Sequence, residues 1–377
     1  MPSNFCIIKY ELRKEDVLLG KLVNLLRPFS KSLTLLSRNY NGPIGTGTQD
    51  MHPPSDGKRA FWSSNKYLKL VFLQLKIGIN LARLKPRPEF VVLFTATSTL
   101  AFPMLIARII NSKTIKFITG GEKTPIRNSR GQYQIFWSLT TNLLKRATLM
   151  LANRIVVESP SILSAYGMKN TSNVHVIPLY VDTEEFRCIN PFTERHKIVG
   201  YVGRLSRDKG VMNLVNAIPK VLDQLDDVRF VFVGEDLSKG EIERYVRGNN
   251  LGEAVDLVGW VHHDQIPSFL NEFRLLILPS FSEGLPNVLL EAMACGTPVL
   301  ASPVGGVVDL IEDGHSGFIL RENSPKGIAE SILRLLSNPG LEEVGMRANE
   351  AILKGYSYSM SVSKWRQLVG ELESCHH

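Results

Sequence analysis

The sequence predicts an α/β protein built from two doubly wound domains that face each other across a cleft. Three observations carry that expectation. Short apolar runs alternate with amphipathic stretches along the whole chain, the pattern of parallel sheets crossed by helices. The pattern breaks at the polar, Pro-containing stretch Asn190 to His196 and then starts again. At 377 residues the chain also exceeds what one small core accommodates.

In the first half the strand candidates are residues 5–10, 32–37, 90–94, 114–119, 154–159 and 174–178. Between them, Lys66 to Leu84 places apolar residues at three-to-four spacing with Lys69, Lys76 and Arg83 on the remaining surface, which predicts a helix. Residues 41–65 are rich in Gly, Pro, Ser and Thr and read as a long loop. After the break, candidates recur at 198–203, 229–234, 254–259, 274–279, 297–302 and 317–320. Met360, Val362, Trp365, Leu368 and Leu372 then mark a closing helix. The expected division is 1–189, 190–356 and a last helix over 357–377 that packs back on the N-terminal domain. In doubly wound sheets ligands sit beyond the C-terminal strand edges, so the cleft is the expected site.

Phe90 to Ile110 is long enough to span a bilayer, but Thr95, Thr97, Ser98, Thr99 and Pro103 interrupt it. It reads as a strand, a turn and a helix. The N-terminal apolar run is broken by charges, so no signal peptide is expected. Cys6, Cys188, Cys295 and Cys375 are scattered without a CxxC pair, so neither a zinc site nor a disulfide framework is indicated. A reducing, cytoplasmic setting suits that pattern. Charge is divided unevenly. Residues 1–180 hold 25 Lys/Arg against 8 Asp/Glu, a balance of +17, and the remainder carries −9. Such asymmetry predicts that the first half meets an anionic partner. No nucleic-acid recognition motif accompanies the charge, so nucleic acid is not expected. An anionic membrane surface or the acceptor it presents fits better, and the helix Lys66 to Leu84 has the composition to lie in a bilayer interface.

The strongest local signal is Ser282 to Pro298, directly after the strand candidate 274–279. Gly284 permits a sharp turn, Pro286 suits the first helical position, and Gly296 with Pro298 ends the helix. The helix start around Gly284, Leu285, Pro286 and Asn287 would offer free backbone N–H groups and the positive end of a dipole, an anion site suited to pyrophosphate. Glu283 stands just before this helix and Glu291 inside it; an ionised carboxylate only accepts, so each could fix hydroxyl groups. The second signal runs from Gly200 through Gly203 to Gly210 and carries Arg204 and Lys209. A planar guanidinium fork and a compact ammonium together would neutralise a diphosphate, the task a metal performs elsewhere. No metal is expected, since no spaced acidic pair lies on a sheet edge; Asp226-Asp227 reads as a polar turn.

GRLSRDKG at 203–210, followed by SEGLPNVLLEAMACGTPVLASPVGG at 282–306, resembles the donor domain of family-four retaining glycosyltransferases. FVGED at 232–236, VDLVGWV at 255–261 and VHVIPLYVDTEEF at 174–186 extend the likeness over about residues 154–345. The resemblance implies a GT-B fold of two Rossmann-like domains and a hexosyltransferase-like enzyme of polysaccharide or glycolipid biosynthesis. The partners implied are a nucleotide-diphosphate sugar as co-substrate, with no cofactor, and a glycan or lipid-linked acceptor. It further implies that Glu283 contacts the donor sugar, Glu291 the ribose, and Arg204 and Lys209 the diphosphate. In the family, transfer is held to proceed on one face of the sugar, with the leaving phosphate oxygen helping to deprotonate the acceptor.

Three departures stand out. Leu179-Tyr180 replaces the Asn-Gly often found before Val-Asp. The Gly-rich stretch GPIGTGT at 43–49 follows the second strand candidate rather than the first. Thr119-Gly120-Gly121-Glu122 carries no His where many members have one, which leaves Gly120, Gly121 and Glu122 as candidate N-domain contacts. The alternative these departures support is a catalytically impaired sugar-nucleotide-binding or scaffold protein of the same fold.

Overall fold

The computed structural model describes residues 2–9, 16–37, 40–44, 66–94, 100–120, 132–166, 168 and 172–374. The chain forms two compact units. One comprises Met1–Glu158, Tyr166–Leu179 and Ser361–His377; the other comprises Ser159–Ala165 and Tyr180–Met360.

In the first unit the strands are β1 (Ser3–Ile8), β2 (Ser30–Leu36), β3 (Asn41–Pro43), β4 (Phe90–Phe94), β5 (Lys113–Ile118), β6 (Arg154–Val157) and β7 (Val174–Val176). They form one sheet in the order β3-β2-β1-β4-β5-β6-β7, parallel throughout except for β3, which runs antiparallel to β2 at the edge. The six sequence candidates are all present. β3 was not foreseen, because Asn41-Gly42-Pro43 has the composition of a turn and pairs only because β2 offers it an open edge. Residues 45–65, the rest of the expected loop, lie outside the described residues. Every residue of β4 is buried, as a central parallel strand requires. Phe5 stacks on Phe90 at 4.7 Å and Phe94 on Phe117 at 5.3 Å.

The interrupted apolar run resolves as anticipated into β4 and the helix Ala101–Ile109, with 95–99 outside the described residues. Among the described residues no helix is long and apolar enough to cross a membrane. The helix Lys66–Arg83 lies beside Ala101–Ile109, where Gly78 leaves the space that the Phe102 ring fills. The closing helix, Tyr358–Ser374, is joined to the first unit from Ser361 onward. Its Trp365 is fully buried with its ring 6.0 Å from that of Phe117, and Ser361 Oγ donates to the Pro178 carbonyl at 3.1 Å.

The second unit holds β8 (Ile198–Val202), β9 (Arg229–Val233), β10 (Val255–Gly259), β11 (Leu275–Leu278), β12 (Val299–Ala301) and β13 (Phe318–Ile319), all parallel in the order β10-β9-β8-β11-β12-β13. Strand order reverses at β8, which pairs with β9 on one side and β11 on the other. That reversal is the topological switch point, where a doubly wound sheet binds ligands.

Residues 190–196 do not behave as a free tether. Phe192–Glu194 forms a 3-10 turn, and the buried Arg195 guanidinium donates to the carbonyls of Asn190, Phe273 and Cys295 and to Thr297 Oγ1. The guanidinium is satisfied by carbonyls at the base of the second sheet.

Trp365→Ala should destabilise the first unit by about 3–5 kcal/mol, the cost of emptying a fully buried indole site. Urea unfolding followed by circular dichroism measures it, and a loss below about 1 kcal/mol would show that the helix contributes little there.

Candidate functional site

Because β8 and β11 are neighbours, with Leu275 paired to Val199 and Leu276 to Gly200, the loops that follow them emerge side by side. Backbone contacts then bind the two loops together. The Phe281 N–H donates to the Asp208 carbonyl at 3.0 Å. Gly210, at φ 68°, brings its backbone against the Pro279 carbonyl so closely that any Cβ would collide with that oxygen. Asn323 Nδ2 donates to the same carbonyl at 2.5 Å. Gly210 is therefore a position where only glycine fits, for both its dihedral and its neighbour.

The consequence is an ion pair between the two sequence motifs. Lys209 Nζ lies 2.6 Å from Glu283 Oε1, and both side chains are largely shielded from solvent. Arg204 belongs to the same loop and is more exposed, its guanidinium 4.0 Å from Asp208 Oδ2. Its backbone is fixed from beneath: Tyr201, fully buried on β8, donates its hydroxyl to the Arg204 carbonyl at 2.9 Å. Burial pushes the Tyr201 phenol up, and the nearby Glu283 charge adds to this, so it remains a donor. Asp208 in turn accepts from Ser206 Oγ at 2.6 Å. Gly203, at φ 147°, receives the strand end by donating its N–H to the Val233 carbonyl.

The helix following Glu283 runs Asn287–Ala294. Pro286 is the residue capping it, in extended conformation, rather than its first helical residue as expected; Asn287 takes that position. Gly296, at φ 65°, closes the helix as anticipated. Leu285 is buried in the core of the unit. Gly284 accepts from the Gly306 N–H at 2.6 Å, and Gly305 packs against the Glu283 carbonyl where a side chain would clash. Glu291 is buried within the helix, and its Oε1 lies 3.0 Å from His263 Nε2.

In the first unit, Gly120 follows β5 with φ 74°. Gly121 and Glu122 lie outside the described residues. The carboxyl that the structure does show here is Glu158, at the end of β6, the neighbour of β5. It accepts a hydrogen bond from the Gly120 backbone and feels the charge of the buried Lys21, but burial dominates and pushes it up to about 8. Tyr201, His263 and Glu158 were not singled out from sequence. Only Glu158, an acid closing an apolar strand, left a visible signal.

With this geometry in view, similarity to known proteins becomes informative. Residues 196–338 match the family described as Glycosyl transferases group 1. The match lies wholly within the second unit. The alpha-D-kanosaminyltransferase of Streptomyces kanamyceticus is 34% identical over 166 residues, 44% of this chain and 43% of that protein. The chain spans about half the length of the curated relatives it matches first. Sucrose-phosphate synthase from Thermosynechococcus elongatus superposes with a TM-score of 0.77 at 18% identity over 99% of this chain and 100% of that one. The Anabaena protein HepE, solved with UDP and glucose, gives 0.74 at 16% identity over 98% and 99%. The fold is GT-B. Arg204, Lys209, Glu283 and Glu291 all lie within the matched residues.

Glu158 ties stability to pH. Its carboxyl is protonated in the folded state up to about pH 8 but ionises near the ordinary carboxylate value of 4.5 once exposed. The native state therefore holds the extra proton between those values. Stability is greatest below the lower limit and falls with rising pH by up to about 1.4 kcal/mol per unit until the upper limit. Glu158→Gln should remove this component. A pH series of denaturation midpoints that keeps the same slope in both proteins would exclude Glu158 as its source.

Proposed function

We propose that the protein transfers a sugar from a nucleotide-diphosphate sugar to a glycan or lipid-linked acceptor, with retention at the anomeric carbon and without a bound metal. The observation that carries this reading is the Lys209–Glu283 ion pair at the start of the helix Asn287–Ala294. A cation, a carboxylate and a helix N-terminus converge beside the switch point of the sheet, which supports a ligand with an anionic diphosphate and a hydroxyl-bearing sugar.

In this mechanism Lys209 and Arg204 take the diphosphate, assisted by the backbone N–H groups of Gly284, Leu285 and Asn287. An ammonium has three protons, and one directed to Glu283 orients the rest of the group. As the bond from the anomeric carbon to the phosphate oxygen lengthens, negative charge grows on the diphosphate, and fixed cations stabilise it without reorganising. Glu283 holds the sugar hydroxyls and Glu291 those of the ribose. The departing phosphate oxygen receives the acceptor proton on the face it leaves. The named activity of the kanosaminyltransferase and the UDP and glucose bound to HepE support a nucleotide-sugar donor.

The first unit supports an acceptor at an anionic membrane surface. The helix Lys66–Arg83 leaves Val71, Phe72, Leu75 and Ile79 exposed, and the adjacent Ala101–Ile109 exposes Leu105 and Ile109. Within a half of net charge +17, apolar side chains at the surface suit insertion at the headgroup level while the cations meet lipid phosphates.

Lys209→Ala and Arg204→Ala should each weaken nucleoside-diphosphate binding by about 1.5–3 kcal/mol, the value of a charge-assisted hydrogen bond. Titration calorimetry checks this, and unchanged affinity in both variants refutes the assignment. Glu283→Gln should depress turnover more than nucleoside-diphosphate affinity. Activity abolished by a chelator and restored by manganese would overturn the metal-free mechanism. In vesicle co-sedimentation the protein should pellet with anionic liposomes, less at high salt, and scarcely with neutral ones. Equal recovery in the supernatant with both at low salt would end the membrane reading.

A further inference from the structure

We infer that His263 is a positioning residue for the nucleotide: its imidazole sets the carboxyl plane of Glu291 so that the carboxylate meets the ribose hydroxyls in a fixed direction. The inference rests on the ribose role given to Glu291 above. It adds a residue that is absent from both sequence motifs.

Glu291 is 4% exposed, and a carboxylate at that depth needs a partner to remain ionised. His263 Nε2 at 3.0 Å is that partner on Oε1. The imidazole is itself held. His263 opens the 3-10 turn His263–Gln265, which is closed by a reciprocal capping box: the His262 N–H donates to Gln265 Oε1 at 3.2 Å, and the His262 ring accepts from the Gln265 backbone. The ring of Phe186, buried in the core, lies 5.2 Å from the His263 ring and tilted to it by 54°. Three elements thus converge on one bond: the 3-10 turn, the segment carrying Phe186 and the helix Asn287–Ala294.

A carboxylate offers about four acceptor directions, and a bond to one oxygen from a fixed donor sets the orientation of the others. This is the logic by which a buried orienting group raises the precision of the group that touches the ligand. The electrostatic surroundings give the imidazole a second task. Burial pushes Glu185 up, with the charges of Asp182, Glu291 and Asp264 adding to this, while His263 opposes it.

The test is calorimetric titration with UDP, GDP and ADP, and with the 2′,3′-dideoxy form of whichever binds most tightly. His263→Ala should weaken the ribonucleotide about tenfold, as for one hydrogen bond to a charged group, and leave the dideoxy form within about twofold. His263→Gln, which retains a side-chain N–H, should recover most of the loss. His263→Ala combined with Glu291→Gln should bind no more weakly than Glu291→Gln alone, and the loss in His263→Ala should fall on the donor KM rather than on kcat. Equal losses on both ligand forms, or losses that multiply in the double variant, would overturn the positioning role while leaving the functional reading intact. Failure of all three nucleotides to bind the unaltered protein would remove the functional reading and this inference with it.

Discussion

The second unit depends on one close approach: the backbone of Gly210 against the carbonyl of Pro279. β8 and β11 are parallel neighbours, so their exits leave the sheet on the same edge, about one strand spacing apart. Two loops leaving the sheet there would wander unless the backbone joined them. The missing Cβ at Gly210, the Phe281 N–H to Asp208 bond and the Asn323 amide on Pro279 supply that join. Lys209 and Glu283 are then brought to 2.6 Å from positions 74 residues apart in sequence. A side chain at 210 would separate the loops and with them the ion pair.

Around this contact the site is built in layers that divide the labour. Backbone groups and the helix start provide partial charge, Lys209 and Arg204 provide full charge, and Tyr201 and His263 contact the Arg204 backbone and the Glu291 carboxyl. Mobility differs accordingly. Glu291 and Lys209 are tightly flanked, whereas Arg204 is roughly two-fifths exposed and only loosely engaged by Asp208. An exposed guanidinium beside a rigid ammonium suits a ligand whose charge shifts during reaction, since one cation can follow what the other anchors.

The first unit uses the same architecture for a different surface. Its sheet also reverses order, at β1, and its adjacent β5 and β6 end in Gly120 and Glu158. Here the titratable group lies deep enough that burial outweighs the Lys21 charge, which makes Glu158 a neutral acid over a wide pH range.

Sequence by itself determined the periodicities. Parallel strands buried on both faces read as apolar runs, so all the interior strands were legible, as were the helix Asn287–Ala294, its glycine stop and the closing helix. Glu283, Arg204 and Lys209 drew notice because their loops carry glycine and proline where the backbone must turn sharply, and Glu291 because it lies in the helix that follows. What only the tertiary structure decided were the partnerships. β3 pairs because an edge is open, not because Asn41-Gly42-Pro43 favours a strand. Arg195 is buried because carbonyls from three separate segments converge on it, although its neighbours read as a linker. His263 meets Glu291 across 28 residues, and no local pattern marks either as the other's partner. Local propensity and burial act along the chain and leave a trace in composition. Hydrogen bonds between distant residues depend on where the folded backbone places them, and a sequence records that only indirectly.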